Sequence, residues 1–210
     1  MHLPAVPYTV YRKNRKLVIV TVLLLFFLSL LPCVYRTYTW AGDAYGLTTL
    51  ATMPEENASI NPYSSNGFFM TRDLAFWLLE NTEYPYSRCS RLSGTIGVCE
   101  TSLVNWIGRS LDLPGVDSEK AYKLLDHFIT RGEPLDELSN GLAPVHEAVL
   151  YNNPHYLDIL LKAGADPGIR IDKQEKPYHG YTAVQFLLFI EAVVEDDYSK
   201  IRQVFEQYDM

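Results

Sequence analysis

The chain has 210 residues, of which 48% are hydrophobic and 20% are charged, enough for one folded domain with a membrane tether but not for several domains. The first 35 residues hold four basic and no acidic side chains, which leaves 14 basic residues against all 25 acidic ones and a net charge of −11 from residue 36 onward. So acidic a surface repels nucleic-acid phosphates and attracts a partner with a basic surface, and DNA or RNA binding is therefore excluded as an expected function.

An apolar segment of membrane-spanning length follows the basic cluster at positions 12–16. Residues 17–35 read LVIVTVLLLFFLSLLPCVY, enough to cross a bilayer core of ~30 Å as an α-helix. Aromatic residues that suit a membrane interface end and follow this segment: Tyr35, Tyr38 and Trp40. By the positive-inside rule residues 1–16 stay cytoplasmic, and the sequence predicts a single-pass inner-membrane protein whose C-terminal domain is periplasmic.

Two other interpretations of this segment stay open. A cleaved signal peptide needs small residues at its cleavage site, whereas residues 34–38 are mostly bulky. Leu30-Leu31-Pro32-Cys33 resembles a bacterial lipobox, which would make Cys33 a lipidated N-terminus, although Pro32 replaces the small residue of that motif. We therefore predict an uncleaved signal anchor.

Residues 36–67 are predicted to form a tether or an irregular cap, because from residue 41 onward they are rich in Gly, Thr, Asn, Ser and Pro without sustained periodicity. Within them, Asn57-Ala58-Ser59 fits a glycosylation sequon, a common pattern that matters only in a eukaryotic secretory pathway. Further on, Cys89 and Cys99 lie in a loop-rich stretch. In an exported chain they could form a disulfide worth about 2–3 kcal/mol, and two buried thiols are the alternative.

Three helices are predicted between residues 68 and 132. Thr71 caps the first, whose apolar stretch is LAFWLLE, and the second covers Glu100–Leu111. Asp117 caps the third, which carries an apolar stripe at three- and four-residue spacing and ends at Gly132. No segment shows the alternation of a β-strand, so the chain is predicted to be all-α.

The strongest motif lies at residues 141–166, which read GLAPVHEAVLYNNPHYLDILLKAGAD. This segment resembles the ankyrin repeat, whose pattern is Gly-x-Thr-Pro-Leu-His-x-Ala-Ala, a helix–turn–helix, and then Leu-Leu-x-x-Gly-Ala-Asp. The resemblance implies that His146 bonds the backbone of neighbouring turns rather than a metal or a substrate. The residues that match in register are Gly141, Pro144, His146, Ala148, Leu160, Leu161, Gly164, Ala165 and Asp166.

Weaker copies flank this motif. Upstream, residues 122–132 align with its second helix, and downstream, residues 180–185 match its start. Helices over residues 183–194 and 199–208 complete a terminal repeat with a polar outer side. The resemblance therefore implies a solenoid of about three to four helix–turn–helix repeats over residues 68–210, divergent in its N-terminal part.

Ankyrin repeats bind other proteins through their hairpin tips and the exposed positions of their inner helices. The resemblance therefore places a partner-binding surface at the tips, on the inner helix of the clear repeat, and in the long loop 170–179, where tyrosines could act as anchors. The alternative for this loop is a solvated insertion without a binding role. The predicted binding residues are Leu135, Asp136, Glu137, Glu147, Leu150, Tyr151, Arg170, Asp172, Lys173, Tyr178 and Tyr181.

Motifs of catalysis and nucleotide binding are missing from the sequence, and its histidines lack metal-ligand spacing, so no enzyme activity, cofactor or metal is expected. An inner-membrane anchor joined to an acidic ankyrin-type domain resembles the immunity proteins that neutralise antibacterial toxins, including phospholipase effectors of type VI secretion, by occluding the active site. The alternatives are a membrane-tethered scaffold or adaptor for envelope proteins and a eukaryotic single-pass protein of the secretory pathway.

Overall fold

A computed structural model describes residues 8–41, 44–54, 70–82, 101–111 and 113–210. Within these residues the chain forms nine α-helices and no β-strand, which confirms the predicted all-α class for this part of the chain. In chain order the helices are α1 (Tyr8–Ala41), α2 (Ala44–Thr52), α3 (Arg72–Asn81), α4 (Leu103–Gly108), α5 (Ser118–Thr130), α6 (Pro144–Leu150), α7 (Pro154–Lys162), α8 (Ala183–Val193) and α9 (Ser199–Gln207).

Helix α1 is long and apolar enough to cross a membrane. Its segment Arg15–Tyr35 has 21 residues and a mean hydropathy of 2.9, and almost none of it is buried by the rest of the chain. The hydroxyls of Thr21 and Ser29 donate to the carbonyls of Leu17 and Phe26, 2.9 and 2.7 Å away. These polar side chains are therefore satisfied within the helix and need no water.

After α1 the next six helices pack as consecutive pairs. Helix α2 packs against α3, α4 against α5, and α6 against α7, while α9 packs against α7. Helices α2, α4, α6 and α8 contact one another in chain order and form an inner row. Contacts of α3 with α5 and of α7 with α9 hold the outer row. Each of the three pairs from α2 to α7 thus buries apolar side chains both within itself and against the helices that follow.

The prediction of a tether or irregular cap over residues 36–67 is wrong for the described part of that range. Helix α1 continues without a break to Ala41, and α2 begins at Ala44 and is almost wholly buried. The folded domain therefore begins directly after the apolar helix instead of at the predicted residue 68. Residues 55–67 lie outside the described residues.

Helix α2 is buried because one of its sides is apolar and its threonines bond internally. Ala44, Leu47, Thr48 and Ala51 recur at three- and four-residue spacing, which places them on one side of a helix. The hydroxyls of Thr48 and Thr52 donate to the carbonyls four residues earlier, at 2.7 and 2.9 Å. The threonines can therefore enter the core without an unsatisfied hydroxyl.

The predicted helix starts at Thr71 and Asp117 are confirmed. The Thr71 hydroxyl accepts the backbone N–H of Leu74 at 3.0 Å, and the Asp117 carboxylate accepts the N–H of Lys120 at 3.2 Å. Gly132 follows the end of α5 with a φ of +83°, in the left-handed region that favours glycine.

The second predicted helix is shorter than expected. Helix α4 covers Leu103–Gly108 instead of Glu100–Leu111, because Ser102 caps it by accepting the N–H of Asn105 at 3.2 Å. At its other end the N–H of Ser110 bonds the carbonyl of Ile107, three residues back, and this tighter turn ends the helix. Glu100 lies outside the described residues.

Residues 141–166 fold as the helical hairpin α6–α7. The Nδ1 atom of His146 accepts the N–H of Ala143 at 3.2 Å, so this histidine caps the first turn of its own helix. Gly141 has a φ of +73°, and a Cβ atom there would lie 2.0 Å from the carbonyl oxygen of Asp172. Only glycine fits this close approach between consecutive hairpins. The predicted terminal helices agree with α8 and α9 to within one residue.

Candidate functional site

The inner row carries an arginine–glutamate pair at the junction of α4 and α6. The Nε and Nη2 atoms of Arg109 donate to Oε1 of Glu147 at 2.9 and 2.7 Å, and Nη2 also donates to the Ser139 hydroxyl at 2.6 Å. Glu147 is only 2% exposed, and burial raises the pKa of its carboxyl, an effect that Arg109 partly offsets. These charge-assisted bonds hold the Arg109 side chain in one orientation.

A chain of hydrogen bonds connects this pair to the earlier helices. The hydroxyls of Ser139 and Thr101 lie 2.7 Å apart, and the hydroxyl of Tyr45 on α2 donates to the Thr101 carbonyl at 2.5 Å. Beside it, Nδ2 of Asn105 donates to the carbonyl of Glu137 at 2.9 Å. Three helix pairs are thus joined by buried polar bonds, which fixes the surface that they carry.

Two large apolar side chains are exposed next to the clamped arginine. Leu150 and Tyr151 follow Glu147 by three and four residues, so they lie on the same side of the inner row as the carboxylate that holds Arg109. Both are exposed. Burial raises the pKa of Tyr151, and the nearby charge of Arg109 partly offsets this effect, so the ring and the oriented guanidinium are neighbours on this face.

A groove of about 390 Å³ adjoins Arg109 where the C-terminal ends of α2 and α4 meet. The indole of Trp106 forms one wall, fixed by a hydrogen bond from Nε1 to the Thr49 hydroxyl at 3.2 Å and by an edge-to-face contact with Tyr45 at 5.5 Å. The groove is mostly apolar and preformed, as is typical of sites that bind a partner side chain. Its lining residues are Thr48, Thr49, Thr52, Met53, Pro54, Trp106, Arg109, Ser110, Leu113 and Val116.

We define the inner-face surface as Arg109, Leu150, Tyr151 and this groove. A second depression, of about 550 Å³, lies on the outer row between α3, α5 and α7. Acidic, basic and aromatic groups alternate around it, including Glu80, Lys123 and His155. Because it presents neither one sign of charge nor an apolar anchor, the inner-face surface is the stronger candidate for binding.

The expectation that Glu147 is an exposed contact residue is wrong. The Glu147 side chain points towards the end of α4, where its carboxylate accepts hydrogen bonds from Arg109 instead of facing solvent. The neighbouring predictions, Leu150 and Tyr151, are exposed as expected. At this position the surface therefore presents the guanidinium of Arg109 and not the carboxylate of Glu147 that the sequence predicted.

The long loop after α7 folds back on the domain. The N–H of Ile171 bonds the carbonyl of Tyr181 at 3.0 Å, and the N–H of Gly180 bonds the carbonyl of Ile171 at 2.8 Å. The ring of Tyr178 lies 5.1 Å from that of Phe186 and 5.6 Å from that of Phe189. The loop is therefore a pinned hairpin and not an extended arm.

The two predicted tyrosine anchors pack against aromatic side chains of α8. Tyr181 contacts the ring of Phe189 at 6.1 Å, and Tyr178 and Tyr181 are both half-buried against the core. The apolar surface of α8 covers one side of each ring, so neither tyrosine projects freely, and their role as partner anchors stays a prediction. The polar members of the loop are Arg170, Asp172 and Lys173, which keep exposed or partly exposed side chains.

The first hairpin tip is partly buried as well. Leu135 packs against the core, and the backbone carbonyl of Glu137 accepts from α4. Asp136 is exposed, and its carboxylate accepts the N–H of Asp166 at 2.9 Å, which ties one tip to the next. The tips therefore brace one another and leave only Asp136 fully accessible among these three residues.

The sequence does not identify Arg109, Trp106 or the groove as parts of a binding site. The groove requires α2, which was read as a tether, and the apolar spacing from Ala44 to Ala51 is the signal that could have found it. Nothing in the sequence pairs Arg109 with a glutamate 38 residues away. Cys89 and Cys99, the predicted disulfide, lie outside the described residues.

Among the described residues no group of three or more His, Cys, Asp or Glu side chains could hold a metal ion. In comparisons with known proteins, the chain matches no family model, and no curated protein and no solved structure matches it at a significant level. What the chain does must therefore be argued from its own surfaces.

Proposed function

We propose that the chain is a membrane-anchored protein-binding module of the ankyrin type, and that the inner-face surface is its binding site. The observation that carries the proposal is the exposure of Leu150 and Tyr151 next to Glu147, which holds the arginine that lines the groove. Tyrosine, tryptophan and arginine are the residue types that dominate binding energies at protein interfaces. Because the polar bonds beneath them are already made, binding orders few further side chains.

The ankyrin assignment is supported by the in-register motif of residues 141–166 and by the stacking of helix pairs in chain order. Repeats of this kind bury their apolar sides against neighbours and leave the inner-helix side accessible along the stack. The membrane anchor is supported by the apolar segment of α1 and by the basic cluster before it. We assign the N-terminus to the cytoplasm and the helical domain to the periplasm.

The role that this module best fits is that of a periplasmic immunity protein, which covers the active site of an antibacterial toxin such as a phospholipase effector. Its support is the combination of an anchor, an acidic domain with a net charge of −11 from residue 36 onward, and a preformed binding surface. The acidic domain would draw in a toxin with a basic surface. A scaffold for envelope proteins would use the same surface without blocking a reaction.

Photo-crosslinking tests the binding site. A photoreactive amino acid replaces Tyr151 in the full-length chain in cells, or, as a matched control, replaces Leu188, which is exposed and apolar on α8. We expect one discrete cross-linked product from position 151 and none from position 188. Adding Leu150→Ser should reduce that product about tenfold, since interface anchors of this size contribute about 1–2 kcal/mol or more. Equal products from both positions would reject the assigned surface.

A killing assay tests the immunity role. A candidate toxin, chosen from the genes that adjoin the one for this chain, is sent to the periplasm with wild-type chain, with the Leu150→Ser/Tyr151→Ala variant, or with no chain. We expect the wild type to restore growth and the variant to protect poorly at equal abundance in the membrane. Killing that is unchanged by the wild-type chain would remove the immunity role and leave the scaffold role.

A further inference from the structure

The folded domain begins at the level of the apolar segment of α1. Cys33 lies inside that segment and is only 4% exposed, and Leu30 and Thr37, which share its side of the helix, are partly covered. The other described side chains between residues 15 and 35 are exposed. One side of the last two turns is therefore covered by folded chain, while the rest of the segment is bare.

Helix α3 lies close to that end of the segment. From Tyr35 to Ala41 the helix rises only about 9 Å at 1.5 Å per residue, and α2 begins three residues later and contacts both α1 and α3. Neighbouring packed helices lie about 8–10 Å apart. A headgroup layer is about 5–8 Å thick on each side of the hydrocarbon core. Helix α3 is therefore within reach of the headgroups if Arg15–Tyr35 spans the bilayer.

An unpartnered apolar pair stands on the surface of this helix. Leu74 and Trp77 are 45% and 53% exposed, and their three-residue spacing places them on one side of α3. Tryptophan is the residue type that concentrates at membrane–water interfaces, because its ring is apolar and its N–H needs a polar partner.

Two ion pairs neutralise most of the charge next to this pair. Asp73 is paired with Lys120 at 2.5 Å, and Arg72 is paired with Asp117 at 2.7 Å. The acidic domain would otherwise be repelled by anionic headgroups. At this position it presents these ion pairs and the exposed carboxylate of Glu80 around an apolar centre.

We infer that Leu74 and Trp77 insert into the headgroup region of the membrane that α1 spans, so that α3 is a second, interfacial contact of the domain with lipid. This inference rests on the proposed anchor. The contact needs little affinity of its own, because α1 already holds α3 at high effective concentration beside the bilayer. It sets how the domain stands on the membrane and therefore which way the inner-face surface points.

Quenching by brominated lipid tests the contact. The full-length chain with Trp40→Phe, which keeps Trp77 and Trp106, is reconstituted in phosphatidylcholine vesicles brominated near the headgroup. Trp106 is held against Tyr45 and Thr49 and lines the groove, and the Trp40→Phe/Trp77→Phe chain, in which it is the remaining tryptophan, measures its own quenching as the background. We expect emission to fall by about half in Trp40→Phe and to stay unchanged in Trp40→Phe/Trp77→Phe. Equal, unquenched emission from both variants would overturn the inference.

Two further variants keep the test decisive. Leu74→Trp in the Trp40→Phe/Trp77→Phe chain moves the reporter by one turn and should restore the quenching. Leu188→Trp in the same chain places a reporter on an equally apolar site at the far end of the stack, 57% exposed, and should stay unquenched. Quenching at position 188 equal to that at position 74 would contradict a contact specific to α3.

Carbonate extraction separates this inference from the anchor. If the chain stays in the membrane pellet but Trp77 is not quenched, the anchor stands and the α3 contact is rejected. If the chain is recovered in the supernatant, both are rejected.

Discussion

His146 is a fully buried histidine whose ring takes part in the turn before α6. Its Nδ1 atom accepts the N–H of Ala143, so this nitrogen must be unprotonated for the cap to form. Burial lowers the pKa of His146 from 6.5 to about 4, and the backbone of Ile169 and Tyr181 offsets this effect only in part. The neutral ring therefore belongs to the folded state at physiological pH.

We predict that His146 makes the domain sensitive to acid. Because its pKa is lower in the folded chain than in the unfolded one, the unfolded chain binds more protons between pH 6.5 and 4. The stability from the neutral ring is thus present above pH 6.5 and is lost as the pH falls towards 4. The wild type should lose about 2–3 kcal/mol from this residue between pH 7 and pH 4.5, measured by urea unfolding of the full-length chain in detergent.

His146→Gln is the matched control, because Gln185 holds the equivalent place in the terminal pair and accepts the N–H of Thr182 at 3.0 Å. The variant should keep its cap and lose much less stability at pH 4.5. Glu147 acts in the opposite direction, since its raised pKa favours the folded chain as the pH falls, but it is present in both proteins. An identical acid response in the two chains would contradict the assignment to His146.

Helix α2 is the first helix of the inner row. It contacts α1, α3, α4 and α5, and Leu47 and Leu50 are fully buried. The groove exists because α2 stands beside α4, so the element that supports the start of the stack also builds part of its candidate binding site.

Leu47→Ala should destabilise the domain by about 2–5 kcal/mol, because it removes a buried side chain and leaves a cavity. Leu113→Ala is the control, since Leu113 is exposed and its loss should change stability by less than about 0.5 kcal/mol. Thermal or urea unfolding of the full-length chain measures both. If Leu47→Ala proves as mild as Leu113→Ala, α2 is not a core element.

The elements that sequence reasoning predicted well are those with local signals. Thr71 and Asp117 cap helices through bonds to residues three positions on, and Gly164, with a φ of +94°, ends α7 from within its own turn. Such interactions depend on only a few adjacent residues, so they can be predicted from the sequence alone. Helix α2 has the same apolar spacing, but its threonines and glycine made the segment resemble a loop.

The candidate site could be predicted only in part, because its geometry depends on distant residues. Leu150 and Tyr151 follow from the motif itself. The burial of Glu147 depends on Arg109, and the packing of Tyr178 depends on a loop that turns back onto Phe189. The local sequence pattern predicts neither contact, since each one forms only when distant parts of the chain pack together.

At the scale of the molecule, an apolar helix and an acidic helical stack are joined with little chain between them. The apolar segment was predicted at residues 17–35, and its helix extends to Ala41 without the expected irregular tether. Only residues 42 and 43 separate this helix from α2, which contacts it. Helix α1 and the domain are therefore in contact, with only two residues between α1 and α2.

The short connection limits where the domain could go under the proposed membrane anchor. A domain on a long flexible linker samples a large volume, whereas one held this closely to α1 would stay near the bilayer and meet partners by lateral diffusion. Partners in or on the same membrane would then be favoured over partners free in solution.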